Sequence, residues 1–80
     1  MTVWISYTRE EVEALAKIGR AIVFRDGTAW IDASTSENAR VLICTYDPSL
    51  GVYTRCYLSD ITPLELRKVA KEVCHEEVQR

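Results

Sequence analysis

The chain has 80 residues, of which 48% are apolar and 28% charged, with a formal net charge of −2. These values are typical of one globular domain over residues 1–80 and exclude a disordered chain. The charges are evenly spread without a basic patch, which argues against general binding to nucleic-acid backbones. Because no apolar run approaches the roughly 20 residues that cross a bilayer, and no signal peptide begins the chain, we expect a cytoplasmic protein that does not contact membranes.

The first predicted elements are a strand and a capped helix. Apolar and polar positions alternate over Thr2–Tyr7, which predicts a strand. The run from Thr8 to Glu11 matches a capping box, in which the threonine hydroxyl and the glutamate carboxylate each accept a main-chain N–H of the other residue. The predicted helix then runs to about Ile18 and ends at Gly19, which can take the left-handed conformation.

The stretch from Ala21 to Ala33 predicts a β-hairpin around Asp26-Gly27. Asp-Gly between two runs of branched and aromatic residues favours a two-residue type I′ turn, because both central positions need φ > 0. Arg25 then pairs with Thr28, and one face of the hairpin is uniformly apolar and expected to face the core. Its residues are Ile22, Phe24, Ala29, Ile31 and Ala33. The opposite face is half polar and carries Ala21, Val23, Arg25, Thr28, Trp30 and Asp32.

A second hairpin follows after a polar break over residues 34–38. A strand over Ala39–Tyr46, a turn at Asp47–Gly51 and a return strand over Val52–Leu58 are predicted, with a less certain register. The set favoured for the core is Leu42, Cys44, Val52, Thr54, Cys56 and Leu58. The outward set has an arginine and two tyrosines, which are more easily accommodated at a wet surface. It comprises Val41, Ile43, Thr45, Tyr53, Arg55 and Tyr57.

The last predicted element is a second capped helix, from Pro63 to the end of the chain, with Thr62 as N-cap and Glu65 closing the box. The order of elements is therefore β-α-β-β-β-β-α, and each helix has one apolar stripe. This order predicts a two-layer α+β domain, in which a mostly antiparallel sheet of about five strands carries both helices on one face. The other face of the sheet would stay open.

The open sheet face is the candidate functional surface. Aromatic and arginine side chains are enriched at protein interfaces, although the same residues could also cover a solvated face or pack on a terminus. The residues expected to bind a partner are Trp30, Tyr53, Arg55, Tyr57, Arg25 and Val23. We expect alanine at Trp30 or Tyr53 to weaken binding by at least about 1–2 kcal/mol and to leave the fold intact.

From this surface the sequence favours a small non-enzymatic protein-binding module, either an inhibitor or adaptor of a larger protein or a homodimer. Virus- and phage-encoded inhibitors are one population of such small domains. The alternative is a single-stranded nucleic-acid binder that stacks bases on the same aromatic residues. The negative net charge and the lack of an aromatic RNA-binding motif disfavour this alternative.

The three cysteines, at positions 44, 56 and 74, are odd in number and widely spaced, so we expect reduced, buried thiols. An alternative is a disulfide between Cys44 and Cys56, which requires Asp47 to pair with Tyr53. Structural zinc needs close ligand pairs, which the cysteines and the single histidine do not provide. Because no phosphate-binding glycine motif is present either, the sequence predicts no metal, no cofactor and no enzymatic activity.

Overall fold

The structure, a computed structural model, describes the backbone of residues 2–78 and the side chains of residues 4–73. Its elements in chain order are β1 (Thr2–Val3), β2 (Tyr7–Thr8), α1 (Arg9–Lys17), β3 (Ala21–Val23), β4 (Thr28–Asp32), β5 (Val41–Asp47), β6 (Val52–Leu58) and α2 (Pro63–Val78). Strands β1 and β2 both pair with β6 and form one interrupted edge strand. The predicted α+β class and the order β-α-β-β-β-β-α are therefore confirmed.

One antiparallel sheet contains all the strands of the described chain. Its order is β1-β6-β5-β4-β3, with β2 beside β1 against β6. Strands β3 to β6 form a continuous meander, so β3 lies at one edge of the sheet and the interrupted strand lies at the other. Neither helix of residues 2–78 combines the length and the apolar character needed to cross a membrane.

Both helices begin at the predicted caps. The Thr8 hydroxyl accepts the Glu11 N–H at 3.1 Å, and the Glu11 carboxylate accepts the Thr8 N–H at 2.8 Å, which completes the capping box. At the start of α2 the Thr62 hydroxyl accepts the Glu65 N–H at 3.1 Å. The connection from α1 to β3 is only residues 18–20 long, and Gly19 takes a φ of 76° within it. This short link places α1 directly beside the edge strand.

The first hairpin closes through a three-residue loop instead of the predicted two-residue turn. The Phe24 N–H donates to the Thr28 carbonyl at 2.9 Å, so residues 25–27 form the loop. Gly27 takes a φ of 94°, as in a type I turn that ends in a bulge. The Asp26 carboxylate accepts the Thr28 hydroxyl at 2.6 Å and the Thr28 N–H at 3.0 Å. These two bonds, the hydroxyl bond first, lower the pKa of Asp26.

The longer loop shifts the hairpin register by one residue and thereby exchanges the faces of β3 relative to β4. Ile22 pairs with Trp30, and the rings of Phe24 and Trp30 lie 5.1 Å apart at an interplanar angle of 58°. Ala21 pairs with Ile31 and points to the opposite face. Both faces of the hairpin therefore carry buried apolar residues.

The two helices pack against opposite faces of the sheet, which corrects the prediction that both lie on one face. Neighbouring strand residues point to opposite sides. Ala21 packs in the cluster that contains Val12 of α1, whereas Ile22 packs in the cluster that contains Leu66 of α2. The physical reason is the register of the first hairpin, since its two apolar faces each need a cover.

A β-bulge in β6 determines which side chains of the second hairpin are buried. Near the turn Tyr46 pairs with Tyr53, but farther along Ile43 pairs with Tyr57, so β6 contains one extra residue between these pairs. Arg55 lies within this irregularity and has a φ of 55°. Because an extra residue reverses the alternation, Tyr53 points to the α1 side and is only 6% exposed. The prediction that Tyr53 faces outward is therefore wrong.

The predicted core-facing set of this hairpin is confirmed only in part. Leu42, Cys44 and Cys56 are fully buried, but Leu58 is 46% exposed. Val41, which was expected to face outward, is fully buried in the cluster that α2 covers. Val41 is buried because α2 covers the face of β5 that was expected to be open.

Cys44 and Cys56 form a cross-strand disulfide, with their Cα atoms 4.1 Å apart, which corrects the expectation of reduced thiols. The pairing that the disulfide alternative required is absent near the turn, because Asp47 pairs with Val52 and not with Tyr53. The bulge supplies the missing one-residue shift and brings Cys56 opposite Cys44. The disulfide therefore depends on a backbone irregularity that lies beside it.

The left-handed backbone at Arg55 predicts that glycine is better accommodated there than any residue with a Cβ. Arg55→Gly should raise the free energy of unfolding by about 0.5–1 kcal/mol relative to Arg55→Ala, because relief of left-handed strain outweighs the extra entropy of glycine in the unfolded chain. Both variants lose the same exposed side chain, so the comparison isolates the backbone. Urea unfolding measures the difference, and equal stabilities would contradict a left-handed bulge at this position.

The disulfide closes a loop between residues 12 apart in sequence. A loop of this length predicts a loss of about 3 kcal/mol in the free energy of unfolding when the bond is reduced. The double variant Cys44→Ala, Cys56→Ala should be less stable than the disulfide-bonded protein, and its stability should be the same in oxidising and reducing buffer. Urea unfolding with and without dithiothreitol tests this, and a wild-type protein that is indifferent to the reductant would count against the bond.

Candidate functional site

The six residues predicted to bind a partner do not share one exposed face. Tyr53 is buried in the α1-side cluster, and Trp30 is half-buried in the α2-side cluster. The other four are exposed but lie far apart in the strand order: Val23 and Arg25 are at the edge strand β3, whereas Arg55 and Tyr57 are in β6, three strands away. The expected exposure of Trp30 and Tyr53 is therefore wrong, and their role in binding stays a prediction.

Tyr53 is part of an aromatic group beneath α1. Its ring lies 5.0 Å from the ring of Tyr46, and the Arg9 guanidinium lies 5.9 Å from the Tyr46 ring centroid. Burial raises the pKa of the Tyr53 phenol, so this side chain stays neutral well above neutral pH. These contacts give Tyr53 a structural role in the core.

Several other apolar side chains are strongly exposed. Trp4 is 99% exposed, and Ile18, Leu50 and Leu64 are more than 60% exposed. They belong to four different segments of the chain: the link between β1 and β2, the end of α1, the turn after β5 and the first turn of α2. Singly exposed apolar residues are ordinary, so they do not define a site.

A groove of about 440 Å³ lies beside α1 and is lined by residues 21–25, by Tyr53 of β6 and by Val73 of α2. Four residues of α1 form one wall, and Tyr53 places part of the floor on the sheet face that α1 covers. This arrangement arises because the helices cover opposite faces of the sheet beside its last strand. Of the three residues of β3 only Val23 is exposed, since Ala21 and Ile22 are each 3% exposed; we call this feature the edge groove.

The floor of the edge groove presents main-chain groups that no neighbouring strand uses. Within residues 2–78, β3 pairs with β4 alone. The Arg20 carbonyl and the Phe24 N–H both bond to β4. Because main-chain groups of an antiparallel strand alternate between its two sides, those of Ala21 and Val23 point away from β4. Ala21 is only 3% exposed, so the accessible groups are the N–H donor and the carbonyl acceptor of Val23.

The two sides of the edge groove differ in chemistry. The α1 side carries Arg9, Glu13 and Lys17, which are spaced four residues apart and so lie on one face of the helix. The side toward α2 is apolar and consists of Ile22, Phe24 and Val73. The Arg9 Nε lies 3.8 Å from the Glu13 carboxylate, and both side chains are more than half exposed. Such a pair contributes little to stability.

Among the side chains of residues 4–73, no group of three or more histidine, cysteine, aspartate or glutamate residues could hold a metal ion. The side chains of Cys74 and His75 lie outside the described residues.

The predicted contact residues Val23, Arg25 and Tyr53 line the edge groove, but the sequence prediction missed the three charged residues of α1. Their signal was present, because positions 9, 13 and 17 follow a four-residue spacing. The link of three residues between α1 and β3 was a second signal, since it leaves the helix beside that strand.

No protein-family model matches this chain, and neither a curated protein nor a solved structure matches it at a significant level.

Because Tyr53 is buried and Tyr57 is exposed, the same substitution should lower the free energy of unfolding by very different amounts at the two positions. Tyr53→Ala should lower the free energy of unfolding by about 3 kcal/mol, because it opens a cavity in the core. Tyr57→Ala, at a residue 45% exposed, should cost less than about 1 kcal/mol. Chemical unfolding of the two variants checks this. A folded and fully stable Tyr53→Ala variant would restore Tyr53 as a surface contact residue.

Proposed function

We propose that this protein is a non-enzymatic protein-binding module that adds an extended segment of a partner to the outer edge of β3. The observation that carries the proposal is the outer edge of β3 at Val23, which is 36% exposed and whose main-chain groups pair with no strand of residues 2–78. Strand addition of this kind uses main-chain hydrogen bonds for affinity and side-chain pockets for specificity. An inhibitor or an adaptor of a larger protein would both act by this contact.

The neighbouring helices give the exposed edge its selectivity. Open edge strands are a liability, and proteins commonly shorten, charge or cover them. Strand β3 is three residues long and lies between two helices, so only a single extended segment of suitable side chains fits. Each new main-chain hydrogen bond contributes about 0.5–1.5 kcal/mol, so side-chain contacts with the walls must supply much of the affinity.

A cytoplasmic location belongs to the proposal as well. Disulfides persist mainly in oxidising compartments, so a cytoplasmic protein must keep the bond away from reductants. Cys44 and Cys56 are both fully buried, which provides such protection.

The single-stranded nucleic-acid alternative depended on stacking bases against Trp30, Tyr53 and Tyr57. Trp30 packs beside Phe24 and Tyr53 beside Tyr46, so of the three rings only Tyr57 is exposed. A single exposed ring is a weak platform for stacking successive bases, so protein binding is the better-supported proposal.

Proline at Val23 tests strand addition, because it removes the N–H that points away from β4 and leaves the bonds to β4 intact. Proline is tolerated at edge-strand positions whose N–H faces solvent. In the experiment, a display library of random eight-residue peptides is selected on the disulfide-bonded protein. Selected peptides should bind Val23→Pro at least about tenfold more weakly than wild type.

The matched control is Val23→Thr, which keeps the N–H and should bind the selected peptides as wild type does. Circular dichroism confirms that both variants are folded. A library without enriched peptides, or peptides that bind Val23→Pro as tightly as wild type, would overturn the proposal.

A further inference from the structure

We infer that a cleft between the end of α1 and the middle of α2 binds an acidic segment of a partner protein, which carries an apolar side chain among its carboxylates. The cleft has a volume of about 320 Å³ and is lined by residues 16–19 and by Arg67, Ala70 and Lys71. We call it the basic cleft. Binding here uses none of the main-chain groups of β3, so it does not depend on the proposed strand addition.

The fold brings three positive charges together at the basic cleft. Lys17 lies in the last turn of α1, and Arg67 and Lys71 are four residues apart on α2. All three are exposed, and among the described residues no acidic side chain lines the cleft. The ion pair found among the side chains of residues 4–73 joins Arg9 and Glu13, so it neutralises none of these cations. Opposite charge on a partner complements them.

Side chains must recognise the anion, because the link between α1 and β3 offers no free main-chain donor. The N–H groups of residues 18–20 all donate to carbonyls of α1, at 2.8–3.2 Å. The cleft also lies at the carboxyl end of α1, where the helix dipole is equivalent to about half a negative charge. Three cations exceed this charge, but phosphate sites usually present N–H groups at the amino end of a helix. Carboxylates spread along a peptide can reach the separate cations instead.

The rest of the lining of the basic cleft is small or apolar. It consists of Ala16, Ile18, Gly19 and Ala70. Ile18 is 67% exposed, whereas Ala70 is buried. An apolar side chain of the partner that covers Ile18 removes apolar surface of both molecules from water, which is favourable. The lining therefore selects a segment that combines carboxylates with an apolar residue.

The charge of the whole chain favours a short acidic segment over a larger polyanion. The formal net charge is −2, although three cations line the cleft. A nucleic-acid backbone or an anionic bilayer presents many negative charges and would also face the acidic remainder of the surface, which opposes binding. A short segment needs to reach only the cleft itself.

Three five-residue peptides test the inference. The first has a leucine with two glutamates on each side, the second replaces the glutamates by lysines, and the third replaces the leucine by serine. Each is titrated into ¹⁵N-labelled, disulfide-bonded protein in 0.1 M salt, and the amide shifts are followed by NMR. The glutamate–leucine peptide should shift residues 16–19 and 67–71. It should bind at least about tenfold more tightly than the lysine peptide and about threefold more tightly than the serine peptide. In 0.5 M salt its affinity should fall, because salt screens exposed charges.

Charge reversal at the cleft should weaken this binding. The double variant Arg67→Glu with Lys71→Glu should bind the glutamate–leucine peptide at least about tenfold more weakly than wild type. Its control, Arg55→Glu with Lys68→Glu, makes the same charge change at exposed residues outside the cleft and should keep the wild-type preference. The amide spectra confirm that both variants are folded.

A second pair of variants tests the apolar contact. Ile18→Ala should weaken binding of the glutamate–leucine peptide about threefold and leave that of the serine peptide unchanged. Leu50→Ala is the matched control, because Leu50 is also 67% exposed but lies outside the cleft. It should bind both peptides as wild type does.

Val23→Pro separates this site from strand addition, since it should bind the glutamate–leucine peptide as wild type does. Binding lost in Val23→Pro would place the peptide at β3 and overturn the basic cleft. Equal affinities for the glutamate and lysine peptides, or no binding of either, would overturn it too and leave strand addition standing. Vesicles of phosphatidylserine, or a thymidine oligonucleotide, that bind more tightly than the peptide and are lost in Arg67→Glu with Lys71→Glu would replace the acidic segment by a polyanion.

Discussion

The extra residue in β6 is the constraint on which the rest of the sheet depends. In the register set by the turn after β5, Cys44 would lie opposite Arg55, and no disulfide could form. The bulge moves Cys56 into that place and turns Tyr53 toward α1. The α1-side core is therefore assembled from residues on both sides of the bulge. Because the remaining strands follow in a meander, β3 takes the far edge and α1 lies beside it.

The helix caps and the position of the first hairpin were predicted correctly from the sequence, whereas the strand registers were not. The helix caps at Thr8 and Thr62 involve residues three positions apart, so they are visible in the sequence; the structure has the full box at Thr8 and the hydroxyl bond at Thr62. The Asp26-Gly27 pair identified the hairpin but fits two loop lengths, since glycine can supply the left-handed residue of either. A bulge at an arginine has no comparable sequence signal, because no glycine indicates the left-handed residue.

The candidate site was harder to predict because it depends on where distant elements meet. The half-polar face of the first hairpin suggested an open surface, but α2 needed an apolar surface to cover, and Trp30 belongs to it. Only the order of strands in the sheet reveals that β3 is an edge. Val23 and Arg25 were predicted to be contact residues as members of an aromatic face; the structure places them in a groove instead.

The pair of rings at Phe24 and Trp30 makes the edge groove visible to spectroscopy. Phe24 lines the groove and touches the half-buried Trp30, whereas the other tryptophan, Trp4, is surrounded by solvent. The two indoles therefore emit from different environments, one apolar and one aqueous. A molecule that enters the groove changes the surroundings of the first and leaves the second as an internal reference. The unmodified protein thus contains its own optical probe of occupancy.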